Sequence, residues 1–251
     1  MSTTTLPTRS AAVTALREAA QTLWPPPADR YGTLKPMLVA LTFLTGVVDA
    51  TSYLRFGHVF VANMTGNLVF LGFALGGGRD LSPSLSLVAL GSFLVGALAG
   101  GRIGAMIPEH RGRLLRAAST VQLALLAAAL IVALLASEPP HTGIVYALIV
   151  SMSLAMGVQN ATAQRLAVPE LTTTVLTRTL TGVASESRLA GGPGSKLGAR
   201  SVAVAAMLLG AITGALLVIH VTIVAALALA SAIALGVCLA AHLASRRGGR
   251  A

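Results

Sequence analysis

The chain has 251 residues, of which 55% are hydrophobic and only 10% charged, whereas a soluble domain carries about 25% charged residues. That composition excludes a water-soluble globular domain, and a single cysteine, Cys238, excludes an internal disulfide. The formal net charge of +10 does not indicate a nucleic-acid partner, because the cations lie in the two tails and between apolar runs, where membrane proteins carry their orientation signals.

Residues 1–36 read as a cytoplasmic tail rich in Thr, Ser, Ala and Pro, without the order of a cleavable secretory signal. A sharper reading is a short amphipathic helix on the membrane surface. Val13, Leu16, Ala20 and Leu23 recur at helical spacing ahead of Trp24 and three prolines. Apolar runs follow at 37–55, 84–107, 117–136, 143–164, 200–220 and 222–244, each near the ~20 residues that cross the hydrocarbon core. Two shorter stretches, 63–78 and 170–187, are either full spans or hairpins that re-enter on one side.

Charge placement decides between these alternatives. With both short stretches re-entrant and the N-terminus cytoplasmic, that side receives most of the 18 cations. They are Arg9, Arg17, Arg30 and Lys35, then Arg111, Arg113 and Arg116, then Arg188, Lys196 and Arg200, then Arg246, Arg247 and Arg250. The other side keeps Arg55, Arg79 and the loop 137–142, which has no Lys or Arg. The positive-inside rule selects this arrangement. The expected fold is therefore all-α and polytopic, with six spans plus two re-entrant or broken helices and both termini cytoplasmic. Its expected parts are a first membrane repeat at 37–136, an external loop at 137–142, a second repeat at 143–244 and a basic tail at 245–251.

The repeat rests on three matches in the same order. Gly46-Val47-Val48-Asp49-Ala50-Thr51 shares four of six residues with Gly157-Val158-Gln159-Asn160-Ala161-Thr162, at an offset of 111 (49 to 160). Thr65-Gly66-Asn67-Leu68 aligns with Thr177-Arg178-Thr179-Leu180 at an offset of 112 (65 to 177), and Gly96/Gly100 with Gly210/Gly214. Each half then holds three spans and one hairpin. An odd number of crossings sets tandem halves in opposite orientations, the inverted-repeat plan of many secondary transporters.

Gly46 to Ala50, Gly57, Phe60 and the run Asn63-Met64-Thr65-Gly66-Asn67 resemble the YoaK family of bacterial multi-pass membrane proteins, over roughly residues 37–244. The resemblance implies an inner-membrane protein with duplicated halves and carries no substrate or activity. Arg178 is a departure, standing where the family resembles Thr-Gly-Thr-Leu.

Asp49 is the acidic residue well inside a span, where a charge costs about 3 kcal/mol on insertion scales. It is read either as functional or as an interhelical packing bond. Asn160, its repeat mate, is read first as interhelical glue. Asn63, Thr65, Gly66 and Asn67 form a breaker followed by a helix start, with Thr177 and Thr179 in the same part of the second half. Two half-helices starting near the midplane would aim free N–H groups at one spot, and Arg178 beside them would suit an anion or pair with Asp49. His58 and Glu170 flank the hairpins as candidate gating groups. Gly96, Gly100 and Gly104 form a smooth face for helix packing, which also permits a homodimer.

Nucleophile, metal-ligand and phosphate-loop patterns are lacking, so neither catalytic residue, metal nor cofactor is expected. The expected function is a small secondary transporter or permease for a small polar or anionic solute, with the lipid bilayer as its other partner. The alternative is a non-transporting membrane scaffold or accessory protein.

Overall fold

The computed structural model describes residues 8–247 apart from 28, 79–80, 137–139, 170, 172–175 and 187–195. Among the described residues the regular elements are all helices: α1 (Thr8–Leu23), α2 (Leu34–Arg55), α3 (Met64–Leu75), α4 (Pro83–Met106), α5 (Arg111–Leu135), α6 (Thr142–Leu166), α7 (Leu176–Ser185), α8 (Leu197–His220) and α9 (Ile223–Arg247). Six of them, α2, α4, α5, α6, α8 and α9, are long and apolar enough to cross a membrane. The protein is a multi-pass membrane protein. Several of these helices run past the apolar runs into charged residues, α2 starting at Leu34 and α5 at Arg111.

Neighbouring helix ends fix the path of the chain. Gly57, just past α2, lies against Leu85 in the first turn of α4, and Tyr146 of α6 donates to Ser84 Oγ at 2.7 Å. At the opposite end, Arg116 of α5 meets His242 of α9 at 3.2 Å, and Glu18 of α1 accepts from Gly198 N of α8 at 3.0 Å. The end of α2 and the start of α4 therefore share one end of the bundle, here the α3 end. The end of α6 and the start of α8 share the other, here the α1 end. Each short helix leaves from and returns to a single end, so neither α3 nor α7 is a crossing.

Helices α2, α5, α6 and α9 form the core. Leu38, Leu41 and Leu44 of α2, Leu126 of α5, Ile149, Met152 and Met156 of α6 and Leu227 of α9 are buried there. Helix α4 flanks α6 and α8 flanks α2, each showing lipid a leucine-rich outer face that includes Leu94, Leu98, Leu208 and Leu216. Lipid tails are as apolar as leucine, so this exposure costs nothing and close backbone packing must do the joining. Glycines provide it. A Cβ on Gly46 would strike the Met207 carbonyl, and one on Gly210 the Phe43 carbonyl; one on Gly157 would strike the Phe93 carbonyl, and one on Gly96 the Leu154 carbonyl. Gly100 faces Val158 as Gly214 faces Val47. The two interfaces repeat residue for residue, α2 on α8 as α6 on α4. Gly104 in turn lies under the Arg165 side chain. The α4 glycines are thus consumed inside the chain, which leaves the dimer expected from Gly96, Gly100 and Gly104 without that surface.

Two further expectations are refined. Within the N-terminal segment, read as a tail or a short helix, residues 8–23 are helical, with Ala15, Glu18 and Ala19 seated on Gly198. Residues 245–247, expected in the C-terminal tail, complete α9.

Candidate functional site

The first hairpin is built by two buried polar side chains. Helix α2 stops at Phe56, and the next two residues, Gly57 (φ +79°) and His58 (φ +57°), take left-handed conformations that turn the chain back. His58 lies on the surface against Tyr53. The returning segment buries Val59, Val61 and Ala62, and its backbone groups would lack water at that depth. Asp49 Oδ1 accepts from Val61 N at 3.0 Å and from Ala62 N at 2.8 Å. Asn67 Oδ1 accepts from Phe60 N at 2.8 Å, while its Nδ2 donates to Phe60 O at 2.6 Å. Asn67 thus pairs with Phe60 as a neighbouring strand would, and Gly66 lets the Phe60 ring close over α3. Among the described residues, Asp49 Oδ2 is buried without a hydrogen-bond partner.

Asp49, Gly66 and Asn67 therefore converge, while Asn63 and Thr65 point outward and are exposed. Asn63 occupies the N-cap of α3, but its side chain makes no cap bond; its carbonyl accepts from Gly66 N and Asn67 N instead. Among the described residues, Asp49 is engaged by the hairpin backbone. Its bonds go to backbone amides, and the Arg178 side chain lies outside the described residues.

The second hairpin is fastened differently. Helix α6 ends on Ala167 in a left-handed conformation (φ +48°). Asn160 is half-buried and donates to Met156 O of its own helix at 3.0 Å. In α7, Thr179 is buried and Thr177 exposed. Arg200, buried on α8, lies over Gly182 and pairs with Glu186 at 2.9 Å. Glu170 falls outside the described residues. Helix α3 packs on α4 at one end and α7 on α8 at the other, so the two half-helix starts do not meet at one spot.

The polar group at mid-depth is a different one. Gln122 Nε2 of α5 donates to Gln159 Oε1 of α6 at 2.6 Å, and Gln159 Nε2 donates to Thr45 Oγ1 of α2 at 2.9 Å. All three are buried, as is Ser119 beside them, whose hydroxyl has no partner. The narrow seam they line leaves no room for a water molecule.

Residues 37–240 match the family described as "Protein of unknown function (DUF1275)". The chain belongs to this family. It is similar to the UPF0700 transmembrane protein YoaK of Bacillus subtilis, with 38% identity over 144 residues. That match covers 57% of this chain and 63% of the relative, so the chain spans less than two thirds of the relative's length. Solved structures give no match. The family segment opens inside α2 and leaves α1 outside it.

Sequence reasoning missed Gln122, Thr45 and Arg200. Gln122 carried a signal, an amide in the middle of an apolar run, but its partners lie 37 residues away on α6 and, through Gln159, on α2.

Proposed function

We propose that the protein is a small secondary transporter or permease for a small polar or anionic solute, built from two inverted halves in a bacterial inner membrane. The observation that carries this reading is the repeated glycine packing, α2 on α8 as α6 on α4. A duplicated unit that packs crosswise on its mate, with a broken helix in each half, is the plan on which alternating-access transporters are built. Hairpins at opposite ends supply one gate to each side, and the amide seam between α2, α5 and α6 supplies polar contacts at mid-depth. Both termini would be cytoplasmic. Arg30, Lys35, Arg111, Arg113, Arg116 and Lys196 gather at the α1 end, the side that the positive-inside rule assigns to the cytoplasm.

The experiment has two arms. Single cysteines at Ser84 and Lys196, in a Cys238→Ser background, are labelled in intact cells with a membrane-impermeant thiol reagent. Labelling at 84 alone is the expected result; labelling at 196 alone would reverse the orientation. The purified protein is then screened for thermal stabilisation by a panel of small polar and anionic solutes, and hits are tested for uptake into liposomes. A hit whose uptake falls with Gln159→Leu supports transport. A full panel without one stabilising solute sinks it.

A scaffold role is the second reading. It is favoured by Asp49 and Asn67, whose bonds all serve to hold the chain's own hairpin.

A further inference from the structure

A cavity of about 290 Å³ opens at the α1 end of the bundle, where α1, the start of α2, the segment after α6 and the start of α8 come together. Its polar lining includes Lys35, Lys196, Tyr31 and Gln21, and its volume is at the lower end for small-ligand pockets. It is separate from the first hairpin and from the amide seam.

Among the described residues, two acids at this cavity, Glu18 and Asp29, are both engaged. Glu18, in its wall, accepts from Gly198 N at the start of α8. Asp29 holds Lys35 at 2.5 Å and accepts from Tyr31 N at 2.8 Å. The Tyr31 ring is flanked by two guanidinium groups, Arg30 at 5.8 Å and Arg111 at 5.1 Å from its centre. Among the described residues no carboxylate pairs with Arg30, Arg111 or Lys196. Among the described residues, Lys35, Lys196, Arg30 and Arg111 therefore gather at this cavity and on the Tyr31 ring in its wall, where the spans end.

Helix α1 adds a second, separate observation. Its inner side rests on Gly198 through Ala15, Glu18 and Ala19. Its outer side leaves Val13 65%, Leu16 71% and Trp24 77% exposed. An apolar helix face beside the mouth of a basic pocket, with a tryptophan at its edge, is matched to the interface of a bilayer.

We propose that this cavity binds a phosphate group, that of an anionic phospholipid headgroup, with Lys35 and Lys196 as its ligands and α1 lying in the interface beside it. Basic pockets at this depth on the cytoplasmic side of membrane proteins recognise such headgroups. A free phosphate ion has the same chemistry, and the experiment separates the two sources.

Trp24 is the only tryptophan, so its fluorescence reports on α1 alone. The full-length protein in neutral detergent is titrated with short-chain phosphatidylglycerol, with short-chain phosphatidylcholine and with inorganic phosphate, following Trp24 emission and melting temperature. The expected result is saturable binding of phosphatidylglycerol over phosphatidylcholine, weakened about thirtyfold in Lys35→Gln/Lys196→Gln. Lys35→Arg/Lys196→Arg should bind like the parent protein, which separates loss of charge from loss of fold. Brominated phosphatidylglycerol in vesicles should quench Trp24. Binding of inorganic phosphate with equal effect, and no gain from the lipid, would overturn the lipid assignment. Equal binding of both lipids, or binding unchanged in the glutamine pair, would overturn the site.

Discussion

The two hairpins stand at corresponding places in the chain, and the contacts described in them differ in kind. The first is tied by side chains to its own backbone: Asp49 takes two amides and Asn67 takes both polar groups of Phe60. The Asp49 bonds are buried and those of Asn67 partly so. In the second, the described contacts include Arg200 lying on Gly182 and reaching Glu186 at the bundle's end. Glu186 is 48% exposed, whereas Arg200 is 6% exposed. A buried backbone that loses its partner bears the full desolvation cost, whereas the half-exposed Glu186 can exchange its partner for water. The first hairpin is accordingly tied to buried backbone, and the described part of the second carries an ion pair at the bundle's end.

The sharpest way to break this comparison is Asp49→Ala. It strands the amides of Val61 and Ala62, at roughly 1–3 kcal/mol for each unsatisfied group, and should give the largest fall in melting temperature in detergent. Asp49→Asn keeps an accepting oxygen and should fall much less. Equal losses in the two variants would show that the charge, and not the acceptor, matters there.

Next is Asn67→Leu, which removes the bonds to Phe60 at about 1 kcal/mol each. Its signature is selective: limited proteolysis should open the 56–63 segment while leaving 176–186 as it was. In the second hairpin, Gly182→Ala places a methyl 2.6 Å from the Arg200 guanidinium. Because the obstacle is the end of a flexible side chain, a loss below about 1 kcal/mol is expected, at the low end for overpacking. Glu186→Gln should cost less than about 1 kcal/mol and its effect should vanish in high salt. A salt-independent loss as large as that of Asp49→Ala would erase the distinction between the hairpins.

The smallest effect concerns the turn below α1. The hydrogen bond from Lys35, followed by that from Tyr31 N, holds the Asp29 carboxyl below its usual value of 3.8. A lowered folded-state pKa stabilises the turn above the ordinary carboxylate range, and that contribution is lost as pH falls through the depressed value. Acidification below about pH 4 should therefore change Trp24 emission in the parent protein and leave Asp29→Asn without that step.

Much of this was written in the residue pattern itself. Runs of ~20 apolar residues declare spans because no other backbone arrangement satisfies its polar groups in lipid. Gly46, Gly96, Gly157 and Gly210 mark close approaches because only a missing Cβ lets backbones touch, and cation placement separates crossing helices from returning ones. The breaker before α3 was likewise legible from Asn63 to Asn67. Its inner face was not: a list of Asn, Thr, Gly and Asn does not say that Asn67 turns inward while Asn63 and Thr65 face out. Nor did apparent isolation in the sequence reveal that Asp49 would find its partners among backbone amides, which no side-chain pattern records.

The sequence by itself thus determined the membrane class, the six crossings, the family and the glycine face of α4. These follow from hydrophobicity, length and the absence of a side chain, all properties of single residues or short windows. Only the tertiary structure decided that the hairpins lie at opposite ends, that Gln122 reaches Gln159 and Thr45, and that α1 closes one wall of a basic cavity. Each of these joins residues far apart in the chain, and in lipid such pairings are selected by close packing and polar satisfaction across several helices at once.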